Sequence, residues 1–257
     1  MLPGLTGSLL SHYFAEHVLA STFAGELGED SCSSAHRQFT LLWRRGSRTL
    51  GPASSARAIL DDAVAPLASL LGFDAARDGA IAANVSLLVG LWSDDLDTLW
   101  RAAVRTAIHR HAEWCLCANG HQLRLIDATR TYSRAYLQFD LERAAEDPRT
   151  FAVFWGVLRR AMFRASAGGP APIERVLETS ARHGAAVSRA LRVGVIEAVG
   201  LLLSGLLPSK KRAISADHLA AGFDESLTLV YRVLFLLFAE ARGLVPNWHP
   251  VYRDGYT

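Results

Sequence analysis

Lysine is almost missing from this 257-residue chain: of 27 basic residues only Lys210 and Lys211 are lysines. Chemistry that needs an ammonium group, as a base, a Schiff-base former or a water-positioning cation, therefore has one adjacent pair to draw on. Cysteine is scarce and odd in number. Cys32, Cys115 and Cys117 offer no disulfide framework, and a Cys-x-Cys pair one residue apart is poorly placed to close on itself, so reduced thiols are expected. Long apolar runs are also wanting. Leu201–Leu207 is short, and Leu227–Ala239 is interrupted by Arg232 and followed by Glu240, so neither gives the ~20 clean apolar residues of a membrane span. Met1–Leu10 has no basic n-region and no small-residue cleavage site. No secretory signal is read, and the expectation is a soluble, cytoplasmic chain with no membrane partner.

Several motifs are missing too. Neither Gly-x-Gly-x-x-Gly nor Gly-x-x-x-x-Gly-Lys-Ser/Thr occurs, which leaves nucleotide binding by those loops unsupported. The nucleophile elbow Gly-x-Ser-x-Gly is likewise lacking. The acid pairs Asp61-Asp62 and Asp94-Asp95 are sequence neighbours, which on a helix point about 100° apart and make no ready acid/base couple. His109, His111, Cys115 and Cys117 are the one cluster of soft ligands. Their spacing is tighter than tetrahedral zinc sites normally use, so buried cysteines are the expectation and no metal site is assigned.

What is present is the composition of a folded globule: half the residues are hydrophobic, 20% are charged, and mean hydropathy is +0.15. The length allows one large domain or two small ones. Net charge is only +2, but it is unevenly spread. Residues 1–34 carry Glu16, Glu26, Glu29 and Asp30 with no Lys or Arg. Residues 101–134 hold Arg101, Arg105, Arg110, Arg124, Arg130 and Arg134 against Glu113 and Asp127, a weak polyanion-facing surface.

The period of the apolar residues divides the chain. Helical spacing from Leu2 to about Phe23 predicts a leading helix, broken by Gly25–Ser34; further helices are predicted over His36–Arg45 and Ser54–Leu71, the latter ending at Gly72 as C′ residue. Asn84–Leu91 then reads as a strand, Ser93-Asp94-Asp95 as the start of a helix to about Arg110, and Trp114–Ala118 as a second strand. Asn119-Gly120 is the strongest hairpin signal, leading to a strand near Leu123–Asp127 and another at Tyr136–Phe139. Helix resumes over Arg149–Ser166, Ile173–Leu206 and Ser215–Arg242. The expected fold is α/β, a small mixed sheet layered with helices, followed by an all-helical unit. The expected divisions are a leading helix and loop (1–34), an α/β domain (35–167) and, past the linker Gly168–Pro172, a helical connector (173–257). The last residues have no terminating logic, which suits the front of a longer protein.

Two stretches carry a resemblance. Trp114–Asp127, with Ala128–Phe139 behind it, resembles the strand, Asn-Gly turn, strand element of restriction-nuclease-like domains. Ser226–Pro246 resembles the helical segment upstream of the catalytic domain in large bacterial adenine-specific DNA methyltransferases of the type IIG restriction-modification and phage-defence kind. The resemblance implies a PD-(D/E)XK-like fold for roughly residues 35–165 and a helical connector after it. Such nucleases hold a divalent metal with an Asp and a Glu-x-Lys on adjacent strands. The corresponding strand here reads Val85-Ser-Leu-Leu-Val-Gly-Leu-Trp92, without acid or lysine, so the domain is expected to be degenerate and no catalytic residue is assigned. The S-adenosylmethionine loop and the Asn-Pro-Pro-Tyr motif of the methyltransferases do not occur, so that cofactor is expected only for a downstream domain. The implied function is a non-catalytic N-terminal region that contacts duplex DNA or organises a downstream methyltransferase domain or partner subunit. Candidate phosphate contacts are Arg124, Arg130 and Arg134 around the hairpin and Lys210, Lys211 and Arg212 in a basic loop. The alternatives are a protein-interaction or connector module without DNA contact, and a divergent nuclease using Asp78 or Asp94 with a metal.

Overall fold

Two apolar pentads set the centre of the fold. Val85–Val89 (β3) and Trp114–Ala118 (β4) pair in parallel, with Val85 opposite Trp114 and Val89 opposite Ala118. Parallel neighbours need a crossover, and the helix Trp100–His109 (α5) supplies it. The computed structural model describes residues 2–27, 29–73, 80–82, 84–165, 169–206, 215–241, 244–245 and 249–256. Strands Leu5–Gly7 (β1), Ala80–Ala82 (β2), Gln122–Asp127 (β5) and Tyr136–Asp140 (β6) complete a six-stranded mixed sheet of order β1-β6-β5-β4-β3-β2. The expected small mixed sheet layered with helices is therefore present.

The alternation along β4 decides which residues face which layer. Trp114, Leu116 and Ala118 join the larger core, whereas Cys115 and Cys117 face the other side. On that second side α5 lies over the sheet. Leu96, Trp100, Ala103, Val104 and Ala107 recur at helical spacing and pack with Cys115, Cys117 and Ile126. The larger core is closed by the helices Leu19–Leu27 (α1), Glu29–Thr49 (α2), Ala65–Leu70 (α4), Leu141–Glu146 (α6) and Pro148–Leu158 (α7). Phe14, Phe39, Ile59, Phe151 and Phe154 are at most 2% exposed within it, and the Phe151 and Phe154 rings meet tilted by 30° with centres 5.6 Å apart. Phe14 belongs to a π-helical turn, Phe14–Val18. A short helix Ala56–Ile59 (α3), with Ser55 capping Ala58 N, continues through the π-helical turn Leu60–Val64 into α4. Gly72 ends α4 at φ +83° and is followed by a bond from Phe73 N to Ala68 O of 2.9 Å, the C′ role read from sequence.

Three expectations change. The leading helix does not begin at Leu2, because Leu5–Gly7 forms the edge strand β1 against Leu137–Phe139 of β6. Gly4 and Gly7 take φ +74° and +112°, and a Cβ on Gly7 would sit 2.1 Å from Tyr136 O. The helical spacing holds only beyond His12. Residues 1–34 are not a separate segment either, since Leu2, Leu5, Leu10, Phe14 and Leu19 are buried in the same core as the sheet. The boundary expected at Gly168–Pro172 moves as well. The chain divides into Met1–His183 and Gly184–Thr257, because Ile173 and Val176, at the start of the helix Pro172–Leu206 (α8), are buried in the first unit's core.

The second unit holds the rest of α8 with the helices Ala216–Ala241 (α9) and Pro250–Tyr256 (α10). Its packing is sparse. Gly222 lets α9 approach Leu203, whose Cδ1 would lie 3.1 Å from an added Cβ. Val199, Ser226, Val230 and Ala239 are buried, but Tyr231, Val233, Phe235, Leu236, Leu237 and Phe238 are 51–65% exposed. Among the described residues no helix is long and apolar enough to cross a membrane.

Candidate nucleic-acid interface

The hairpin arginines do not form one surface. Arg124 sits on the α5 side of β5, flanked by Cys117 and Gln138 across the sheet. Its side chain is 4% exposed, its Nε donates to Gln138 Oε1 at 2.8 Å, its Nη1 donates to Asp97 Oδ1 at 2.7 Å, and its guanidinium lies 3.9 Å over the Tyr136 ring. These contacts make it an internal tie between the sheet and the turn before α5, so it is removed from the outward-facing phosphate contacts expected above. Arg130 and Arg134 are exposed in the loop between β5 and β6, Arg134 at φ +44°. Lys210, Lys211 and Arg212 lie outside the described residues, as does Asp78.

Arg130 faces acids. It lines a cleft of about 480 Å³ with Glu113, Asp127, Glu174 and Glu178, and its Nε is 3.7 Å from Asp127 Oδ2. Asp127 is itself 4% exposed and accepts from Thr129 N at 2.9 Å and Thr129 Oγ1 at 2.6 Å. A phosphate entering here would meet more negative than positive charge.

Arginines that the sequence reading passed over share a different groove. Arg159, Arg160 and Arg164 line a depression of about 470 Å³ with Trp155 and the end of α4, and no carboxylate lines it among the described residues. The signal was in the sequence: from Pro148 to Ile173 there are four arginines and no acid. A 3-10 turn, Arg160–Phe163, follows α7, with Arg159 and Arg164 as its two caps, so the three arginines sit at one turn of the chain. The corner is fastened to α4, since Arg160 N donates to Leu71 O at 2.9 Å and Arg160 Nη1 to Gly72 O at 3.4 Å.

Asp94 folds its own turn, Oδ2 accepting from Leu91 N at 2.8 Å and its carbonyl from Asn119 Nδ2 at 2.9 Å. Asn119, fully buried, also accepts from Gln122 N at 2.9 Å and so holds the hairpin. His109 and His111 are exposed while Cys115 and Cys117 are 0% exposed, so the four soft ligands are not brought together. Among the described residues no group of three or more His, Cys, Asp or Glu is placed to hold a metal. Burial pushes the Cys115 thiol up to about 11 and the Cys117 thiol up to about 12. In β3 the only polar side chain is Ser86, buried, donating to Trp114 O at 3.1 Å.

The fold and site thus define a class and no more than a class: a helix-layered mixed α/β sheet carrying an arginine groove, joined to a helical unit. No protein-family model, curated protein or solved structure matches the chain.

Proposed function

We propose that the chain is the non-catalytic N-terminal region of a DNA-modifying enzyme, of the adenine-N6 methyltransferase, restriction-modification or phage-defence kind, working in the cytoplasm by contacting duplex DNA or organising a downstream methyltransferase domain. The observation that carries this reading is the make-up of β3. At the place where the resembled nucleases hold a metal ligand and a lysine, this strand offers Val85, Ser86 and Leu87, all buried. A divalent ion would find no ligand there, and no hydrolytic step is derived through one. The sequence likewise has no Gly-rich loop or Asn-Pro-Pro-Tyr motif for S-adenosylmethionine and a flipped adenine, so methyl transfer is assigned to the downstream domain. The exposed arginines support the DNA-contact half. The test is binding of the purified chain to a labelled duplex at about 50 and about 200 mM salt, where phosphate contacts lose affinity steeply. Salt-sensitive binding is expected, and no binding at the lower salt would overturn the DNA half.

A second reading, a connector or protein-interaction module without DNA contact, is favoured by one feature. The apolar run Val233–Phe238 of α9 leaves Phe235 65% exposed and Leu236, Leu237 and Phe238 above 50%, and large apolar side chains exposed side by side mark an interaction surface. Self-association that does not respond to salt, with no duplex binding, is the outcome that would select it.

A further inference from the structure

We infer that the groove formed by Arg159, Arg160, Arg164 and Trp155 is a phosphate-binding site, taking adjacent phosphates of a nucleic-acid backbone. The inference rests on the DNA-contact reading for the source of the phosphates, and on the groove itself for their recognition.

Four features of the groove point to a polyanion. Its charged lining is three guanidinium groups with no carboxylate among the described residues, unlike the cleft beside Arg130, where four acids surround one arginine. Arginine presents a fork of donors that matches phosphate oxygens in pairs, and Arg160 and Arg164 are both exposed. Among the described residues no carboxylate forms an ion pair with Arg164 or lines the groove beside it. The backbone beneath them is fixed before any ligand arrives, because Arg160 N is bonded to Leu71 O at 2.9 Å and Met162 N to Arg159 O at 2.9 Å. Little ordering entropy of the main chain would then be lost on binding.

Trp155 adds an independent pointer. Its indole Nε1 is buried and has no hydrogen-bond partner among the described residues, although a buried indole N–H ordinarily finds one. Trp155 stands one turn before Arg159 and lines the same groove, which places this unused donor beside the three arginines. A groove of about 470 Å³ has room for more than one phosphate group. Phosphate can reach it from two sources, a duplex backbone or a free polyphosphate, and the experiment separates them.

The full chain, its double variant Arg160→Gln/Arg164→Gln and the charge-keeping variant Arg160→Lys/Arg164→Lys are titrated with a labelled 20-base-pair duplex and with inorganic pyrophosphate. Both substituted positions are exposed, and matching thermal unfolding of the three proteins checks the fold. The expected result is duplex binding by the wild type, a loss of about tenfold or more in the Gln variant, a salt dependence shallower by about two in log–log slope, and partial recovery with Lys. Pyrophosphate binding that is lost in the Gln variant, with no duplex binding by any protein, would keep the phosphate site while removing DNA as its source. If neither probe distinguishes the Gln variant from wild type, the inference is overturned; where the wild type still binds duplex, the DNA-contact reading stands on other residues.

Discussion

The guanidinium of Arg124 donates to the carboxylate of Asp97 at 2.7 Å, joining the middle of β5 to the turn that starts α5. The two partners are unequal. The Arg124 side chain is 4% exposed and the Asp97 side chain 67%, so water can replace the carboxylate, whereas nothing can replace the arginine beneath the helix. Arg124→Leu also removes the bond to Gln138 and the contact over Tyr136. It is expected to cost about 2–3 kcal/mol, with Asp97→Ala costing about 1 kcal/mol or less. Urea unfolding of the two variants measures both, and equal costs would show that the carboxylate, not the burial, holds the arginine.

That arginine also shows where sequence reading stops. The alternation Leu123, Arg124, Leu125 reads as one buried and one wetted face, and it is correct for a sheet covered on one side. Here α5 covers the second face as well, and an arginine placed by register opposite Cys117 and Gln138 becomes internal. The strands β3 to β6 and the Asn119-Gly120 turn were legible because each is specified locally, by an apolar pentad or by turn chemistry. β1 was not, because three residues carry too little period and its pairing with β6 spans more than a hundred positions. The Gly-Gly-Pro stretch does interrupt the helices, but an interruption is not a domain boundary when Ile173 and Val176 beyond it still enter the first core. The arginine groove was hidden for the opposite reason: its residues are close in sequence, but only the 3-10 turn at the end of α7 gathers them on α4.

Thiol chemistry should separate the three cysteines. Cys115 and Cys117 are fully buried between the sheet and α5, and burial raises their thiols to about 11 and about 12. At pH 8 almost no thiolate is present at either, and the thiolate is the reacting species. Cys32 is partly exposed. Native protein treated with a thiol reagent at pH 8 is expected to modify Cys32 and leave the other two intact. Unfolding in urea should then release both. Peptide mapping after alkylation reads the result, and native labelling of Cys115 or Cys117 would mean that α5 opens on the labelling timescale.

Two groups with depressed pKa values make stability fall on acidification, in separate windows. His121 is pulled below its ordinary 6.5 by burial, against an opposing effect of Asp140. The folded ring therefore holds its proton less tightly than the unfolded chain, and the stability this provides is complete above about 6.5 and is lost as pH falls through the folded value. At Asp147 burial raises the carboxyl, but the bond from Arg149 N and the Arg149 guanidinium outweigh it and hold the group below 3.8. Its contribution persists to about pH 4 and goes at lower pH. His121→Gln should flatten the stability profile between pH 7 and 5 and leave the acid limb unchanged. Asp147→Ala should lower stability by about 1 kcal/mol at pH 7, through loss of the α7 cap, with the difference from wild type shrinking below pH 4. Denaturant midpoints across pH 3–8 test both windows.

The apolar face of α9 gives the strongest contrast with the core. A buried phenylalanine such as Phe154 is worth about 3–5 kcal/mol against alanine, because its removal opens a cavity in a packed interior. Phe235 is 65% exposed, and its truncation opens none. Phe235→Ser with Leu236→Ser is therefore expected to change the unfolding free energy of the isolated chain by no more than about 0.5 kcal/mol per site. What it should change is association. If this face docks on another domain or subunit, the variant stays monomeric at concentrations where the wild type self-associates, and sedimentation velocity records the difference. A loss of stability comparable to that of Phe154→Ala would mean that the face is already packed within the chain, and would remove the ground for the connector reading.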